Sequence, residues 1–168
     1  MQYKVTGKQP SSKMCVVCGT KNELGLHAHF YELENKEMLA VFTPKAEHQS
    51  YPGRMHGGML TAILDEAIGR AISMYYESMV WGVTLEFNIK FKKPVPLDSE
   101  IRVRCRITEN EGRIFKGSGE VLLADGRVAV EGAGVYMKLP IEQIADFDHD
   151  EQEWRVIPTE CDPEVVEF

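Results

Sequence analysis

Apolar residues recur along this chain with two periods. Between residues 57 and 76 there is no proline, and apolar side chains fall at Leu60, Ile63, Leu64, Ala67, Ile68, Ala71 and Ile72. That spacing makes one stripe along a helix of roughly five turns. Further on the period is two. Val83, Leu85, Phe87, Ile89 and Phe91 oppose Thr84, Glu86, Asn88, Lys90 and Lys92, while Ile101, Val103, Cys105 and Ile107 oppose Arg102, Arg104 and Arg106. Both runs predict strands with one buried face, and the three-arginine face reads as solvated. "EGR" (111–113) and "ADGR" (124–127) mark hairpin turns, and a last strand runs from about Arg127 to Met137 before Pro140 ends it. Upstream, "LHAHFYEL" (26–33) and "EMLAVFT" (37–43) are strand-like around a turn at "ENK", and "PKAEHQSYPG" (44–53) is a loop. The order strand, strand, helix, four strands predicts an α+β domain in which a curved antiparallel sheet wraps one long helix. Residues 1–14 read as an irregular lead-in, 15–140 as the domain, and 141–168 as an acidic C-terminal extension.

Charge sharpens that division. The chain of 168 residues carries −7, but ten of its acids and only one base lie in residues 139–168, leaving the rest at +2. A body so weakly basic excludes a nucleic-acid footprint and suits a ligand with a few phosphates. The extension also holds Ile141, Ile144, Phe147, Trp154, Val156, Ile157 and Phe168, too apolar for a purely solvated tail. It is expected to form one short helix, to pack on the domain, and to lie away from a phosphorylated ligand. No apolar run approaches the ~20 residues of a membrane span. The N-terminus lacks a signal-peptide pattern, so a cytoplasmic location and reduced cysteines are expected.

The candidate chemistry sits at the start of the predicted helix, in "RMHGGMLTAILDEA" (54–67). Glycines cost ~1 kcal/mol each in a helix interior but less in the first turn, whose N–H groups have no intrahelical acceptor. Gly57 and Gly58 would offer such N–H groups at the positive end of the helix dipole, where an oxyanion or carbonyl oxygen fits. On a helical wheel Asp65 lies off the apolar stripe, among Gly58, Ala62 and Gly69. Glu66 points toward Arg70 and reads as an ordinary surface pair. Asp65 lies eight residues past Gly57, roughly 12 Å along the axis. One helix therefore does not bring both groups to one reacting carbon, whereas two helices related by a twofold axis do. This hints at a homodimer with shared sites.

"HGGMLTAILDEAIGRA" followed by "TLEFNIKFKKPVPLDSEI" resembles the hotdog-fold acyl-CoA thioesterases, in particular the subfamily with HGG followed by an acid that includes the phenylacetate-pathway enzymes. "CVVCGTKNELGLHAHF" resembles an opening found in the same superfamily. The resemblance covers residues 15 to 138. It implies an acyl-CoA substrate, the Gly57 N–H as oxyanion donor, His56 shaping the loop, and Asp65 as nucleophile or general base from the partner subunit. Thr84 matches a Ser/Thr position that helps to hold the water or the acid. Gly58, Ser50 and Gln49 fall at substrate-binding positions. The family often has asparagine where Ser50 stands, so Gln49 is a candidate for its amide role. No cofactor is implied beyond the CoA of the substrate, and the assembly is a homodimer or a dimer of dimers (homotetramer). Two alternatives remain open: a hotdog hydratase or dehydratase on acyl-CoA or acyl carrier protein, and a non-catalytic acyl-CoA binder. His48 resembles a dehydratase histidine, but there the acid comes sooner after it and HGG is absent, so His48 reads as a loop residue.

Cys15-x-x-Cys18-Gly has the form of half a zinc knuckle, but a structural zinc takes four ligands. Cys105 on a strand face and Cys161 in the tail are poor partners; His27 and His29 share one strand face. The pair reads as a cysteine-lined turn packed on the core, and no metal is expected.

Overall fold

The computed structural model describes residues 1–168. Eight strands, β1 (Gln2–Lys8), β2 (His29–Leu33), β3 (Met38–Phe42), β4 (Trp81–Phe91), β5 (Ile101–Glu111), β6 (Ile114–Leu122), β7 (Val128–Leu139) and β8 (Val165–Glu167), form one sheet. Its spatial order is β4-β7-β6-β5-β3-β2-β1-β8, with every neighbouring pair antiparallel. The helix α1 (Gly57–Ala71) lies against it and buries Leu60, Ile63, Leu64, Ala67, Ile68 and Ala71, the stripe expected from the sequence. The final expected turn is a 3₁₀ segment, Ile72–Tyr75. No helix is long and apolar enough to cross a membrane.

Bare backbone under α1 sets how closely it packs. Across β6 and β7, Gly117 faces Gly134 and Gly119 faces Gly132. A Cβ on Gly117 would stand 2.5 Å from Ile68 Cγ2, and one on Gly119 2.5 Å from Cys105 Sγ and 3.0 Å from Leu64 Cδ2. Cutting Ile68 or Leu64 to alanine at such a fully buried position costs about 2–5 kcal/mol.

Four expectations change. The lead-in contains β1, whose Tyr3 and Val5 join Tyr31, Leu33, Leu39, Val41, Val166 and Phe168 in a second apolar cluster. Alternation over only five positions, interrupted by Gly7 in "QYKVTGK", hid that strand. The arginine face is partly covered rather than simply solvated: Arg104 pairs with Glu120 and lies over the Phe168 ring, and Arg106 pairs with Glu37, while Arg102 and Arg106 stay half exposed. The extension forms only a 3₁₀ turn, Ile141–Gln143, before turns and the short β8, because its apolar residues follow the shape of the domain rather than a helical period.

The fourth change bears on the site. The register of β4 against β7 shifts between Thr84 and Glu86, so Leu85 is an extra, bulged residue. Thr84 pairs with the buried Tyr136 and therefore faces the helix, as Phe87 and Ile89 do beyond the bulge. Leu85 and Phe91, expected on the inner face, are 49% and 55% exposed.

Candidate active site

His56 caps α1 from an extended backbone (φ −68°, ψ 135°), and its Nδ1 accepts the Gly58 N–H at 2.8 Å. That capping bond satisfies one of the free donors of the first turn. The Gly57 N–H is used by no turn, loop or cap hydrogen bond. A Cβ on Gly57 would lie 3.2 Å from the Phe91 ring, so glycine keeps this donor uncrowded beneath the aromatic edge. The approach to the cap is fixed from outside: the His56 N–H donates to the His48 carbonyl at 2.8 Å, and the Met55 N–H to that of Val95 at 2.9 Å.

His48 is buried and fully occupied. Its Nδ1 accepts the Lys45 N–H at 2.9 Å and its Nε2 lies 3.0 Å from the Leu24 carbonyl. Gln49 and Ser50 belong to an exposed turn, where Gln49 Oε1 accepts the Gly53 N–H at 2.9 Å and the Ser50 N–H donates to the Arg54 carbonyl at 2.8 Å. Within the chain neither they nor His56, Gly57 and Gly58 line the cleft that holds Asp65.

Asp65 and Thr84 do come together. Thr84 Oγ1 donates to Asp65 Oδ1 at 2.8 Å, and the Tyr136 hydroxyl reaches the same oxygen at 3.1 Å and the Asp65 carbonyl at 3.2 Å. Asp65 Oδ2 has no protein partner. One carboxylate oxygen is thus held from two sides and the other is free to act. Tyr136 is 1% exposed and stacked on Phe115, with centroids 4.9 Å apart. Burial, the Asp65 charge and their hydrogen bond push its phenol far above the usual tyrosine range, so it stays protonated as a donor. Sequence reasoning missed Tyr136. Its signal is the period-two run Gly132, Gly134, Tyr136, in which small residues on one strand face end in one large polar ring.

The cleft beside this carboxylate has a volume of about 350 Å³. Val80, Trp81 and Met79 form one side, and the extension supplies Phe147 and Trp154. Trp81 packs on both, with centroids 5.4 Å and 5.1 Å away. The extension therefore packs on the domain, as expected, and does so at the candidate site itself. The remaining wall is polar: Cys15, Cys18, Glu66 and Arg70. Glu66 and Arg70 are not an ordinary surface pair. The Arg70 guanidinium is nearly buried; it lies over the Phe30 ring and donates to Glu66 Oε1, the Pro10 carbonyl and Cys18 Sγ. The neighbouring Cys18 thiol, with burial and the Glu66 charge, pushes Cys15 up. The neighbouring Cys15 thiol and the Arg70 charge draw Cys18 down, against its burial.

The family model for the thioesterase superfamily matches residues 52–130, the segment that contains the cap, α1, Thr84 and the start of β7. Among curated proteins, an acyl-coenzyme A thioesterase, THEM4 of Rattus norvegicus, is 33% identical over 87 residues, 52% of this chain and 36% of that protein. Acyl-coenzyme A thioesterase THEM5 of Homo sapiens is 27% identical over 115 residues, 68% of this chain and 45% of that protein. The chain thus spans half or less of the length of these relatives. Among solved structures, a thioesterase superfamily protein superposes with a TM-score of 0.68 at 24% identity, covering 74% of this chain and 63% of that one. The PaaI protein from the E. coli phenylacetic acid degradation operon superposes with a TM-score of 0.62 at 14% identity, covering 68% of this chain and 81% of that one. The fold of this chain is the hotdog fold, and its similarity in sequence is to the thioesterase superfamily.

Proposed function

We propose that this protein hydrolyses acyl-CoA thioesters to the free acid and CoA, in a homodimer whose active sites draw on both subunits. The observation that carries the reading is the Asp65 carboxylate, anchored through Oδ1 and free at Oδ2, in the wall of an apolar cleft. The similarity to acyl-coenzyme A thioesterases supports the substrate class. The His56-Gly57-Gly58 sequence with its acid nine residues after the histidine supports placement in the HGG subfamily.

In this reading the thioester carbonyl oxygen accepts the Gly57 N–H of one subunit, at the positive end of α1, where negative charge develops in the transition state. Asp65 Oδ2 of the other subunit takes a proton from water as the water oxygen bonds to the carbonyl carbon; direct attack by Oδ2 is compatible with the same geometry. Collapse of the tetrahedral intermediate breaks the C–S bond. The departing CoA thiolate is a fair leaving group and recovers the proton from Asp65 or water. Thr84 and Tyr136 orient the carboxylate throughout. No step calls for a metal. The edge of β4 supports the dimer: an 11-residue strand with one unpaired side and exposed Leu85 and Phe91 is an open template for a second copy.

Engagement of both His48 ring nitrogens disfavours the hydratase or dehydratase alternative. A thiol-release assay across aromatic, short-chain and long-chain acyl-CoAs tests the proposal. At least one substrate should turn over, and Asp65→Asn should abolish most of that kcat with fold and assembly intact. Acyl-CoA binding without thiol release would identify a non-catalytic binder instead.

A further inference from the structure

Three ligand-type atoms converge on the polar wall of the cleft, and Asp65 uses none of them. Cys15 Sγ, Cys18 Sγ and a Glu66 carboxylate oxygen all lie within 4.8 Å of one another. Ligands held at 2.0–2.3 Å around a tetrahedral zinc stand roughly 3.5–3.8 Å apart, so only small side-chain adjustments are needed, with Cys15 and Glu66 opening slightly from their 3.1 Å contact. We propose that Cys15, Cys18 and Glu66 bind a zinc ion that clips the N-terminal loop to α1, with the fourth position open to the cleft.

Each proposed ligand is already supported from behind. The backbone N–H groups of Val17 and Cys18 point at Cys15 Sγ, 3.3 Å and 3.4 Å away. Donors from two and three residues further on are what a sulfur needs to carry negative charge inside a tight Cys-x-x-Cys turn. Arg70 Nη2 donates to Cys18 Sγ at 3.1 Å. Arg70 Nε holds Glu66 Oε1 at 2.9 Å, which turns Oε2 toward Cys15 Sγ, 3.1 Å away. A divalent cation that displaces the thiol protons would face two sulfurs and one carboxylate beside the Arg70 guanidinium, a set it can neutralise. Thiolates paired with a single carboxylate favour zinc over magnesium or calcium, which take oxygen ligands.

The sequence-based expectation of no metal rested on the missing second cysteine pair. The third ligand comes instead from the helix, 51 residues beyond Cys15. The proposed role is to tie that loop to α1 next to the catalytic acid, and it stands independently of the thioesterase reading because neither test below needs turnover.

The experiment is a Co²⁺ titration of the reduced full-length chain, read by thiolate-to-cobalt charge-transfer absorption and followed by displacement with Zn²⁺. One Co²⁺ per chain is expected, with the signal lost in Cys18→Ser and the affinity at least tenfold weaker in Glu66→Gln. Alkylation of the wild-type chain, mapped by mass spectrometry, guards against a variant that misfolds. Equimolar Zn²⁺ should protect Cys15 and Cys18 and leave the exposed Cys161 reactive. No cobalt absorption, a signal unchanged in Cys18→Ser, or a Cys15–Cys18 disulfide that forms readily in the presence of zinc would each overturn the proposal.

Discussion

Replacing Tyr136 with phenylalanine removes one oxygen and nothing else. The ring, stacked on Phe115, keeps its packing, and the only bonds lost are those to Asp65 Oδ1 at 3.1 Å and to its carbonyl at 3.2 Å. A hydrogen bond to a charged group contributes about 1.5–3 kcal/mol. If that bond orients the carboxylate in the transition state, kcat should fall roughly 10- to 100-fold, at about 1.4 kcal/mol per tenfold. KM should barely move, because Asp65 acts on the reacting carbon rather than on the acyl chain or CoA. Gly134→Ala should produce the same phenotype by a different route. Its Cβ would stand 2.5 Å from the Tyr136 ring and 2.6 Å from its hydroxyl oxygen, which forces the phenol off Asp65. Steady-state thiol release by both variants, with thermal melts alongside, separates catalysis from stability. A Tyr136→Phe enzyme with wild-type kcat would refute the positioning role, whatever its melting temperature.

The other predictions concern the extension. Trp154→Ala should raise KM for acyl-CoA several-fold with a smaller change in kcat, since Trp154 lines the cleft while Asp65 is held by Thr84 and Tyr136. The chain has two tryptophans and both line that cleft, so bound acyl-CoA should also quench intrinsic fluorescence; unchanged KM and emission would place the acyl group elsewhere. Asp162 is opposed by burial, yet Lys8, Thr159 and Tyr31 hold its carboxyl far below the usual carboxylate range. A depressed folded-state value stabilises the protein at pH above the unfolded value of about 3.9, and that stability is lost as pH falls. Melts of Asp162→Asn against wild type should therefore keep their full difference down to pH about 4 and converge only as pH falls further, toward the depressed folded-state value; a constant gap would exclude this linkage.

Local periodicity made α1 and the central strands legible, because each buries one face and the period records it. The same wheel argument separated Asp65 from the apolar stripe. It misjudged Glu66, because a wheel shows the neighbours along one helix and not the Cys15–Cys18 loop that packs across it. The Leu85 bulge has no local signature. It is a property of the β4–β7 register, and it is what turns Thr84 toward Asp65. Tyr136 lies 71 residues beyond the acid that it holds, a pairing that only the folded sheet creates. The extension was legible as apolar but not as a wall of the cleft, because no repeat ties Phe147 and Trp154 to Trp81.

Shared chemistry between subunits is the central claim, and mixed dimers test it most directly. Asp65→Asn removes the acid, and Gly57→Pro removes the N–H at a first helical position where proline is tolerated. Each variant alone should be inactive. After exchange of equal amounts, random twofold dimers in which half are mixed, each with one intact site, should recover about a quarter of wild-type kcat. No recovery after exchange has been verified by mass would mean that donor and acid serve from the same chain.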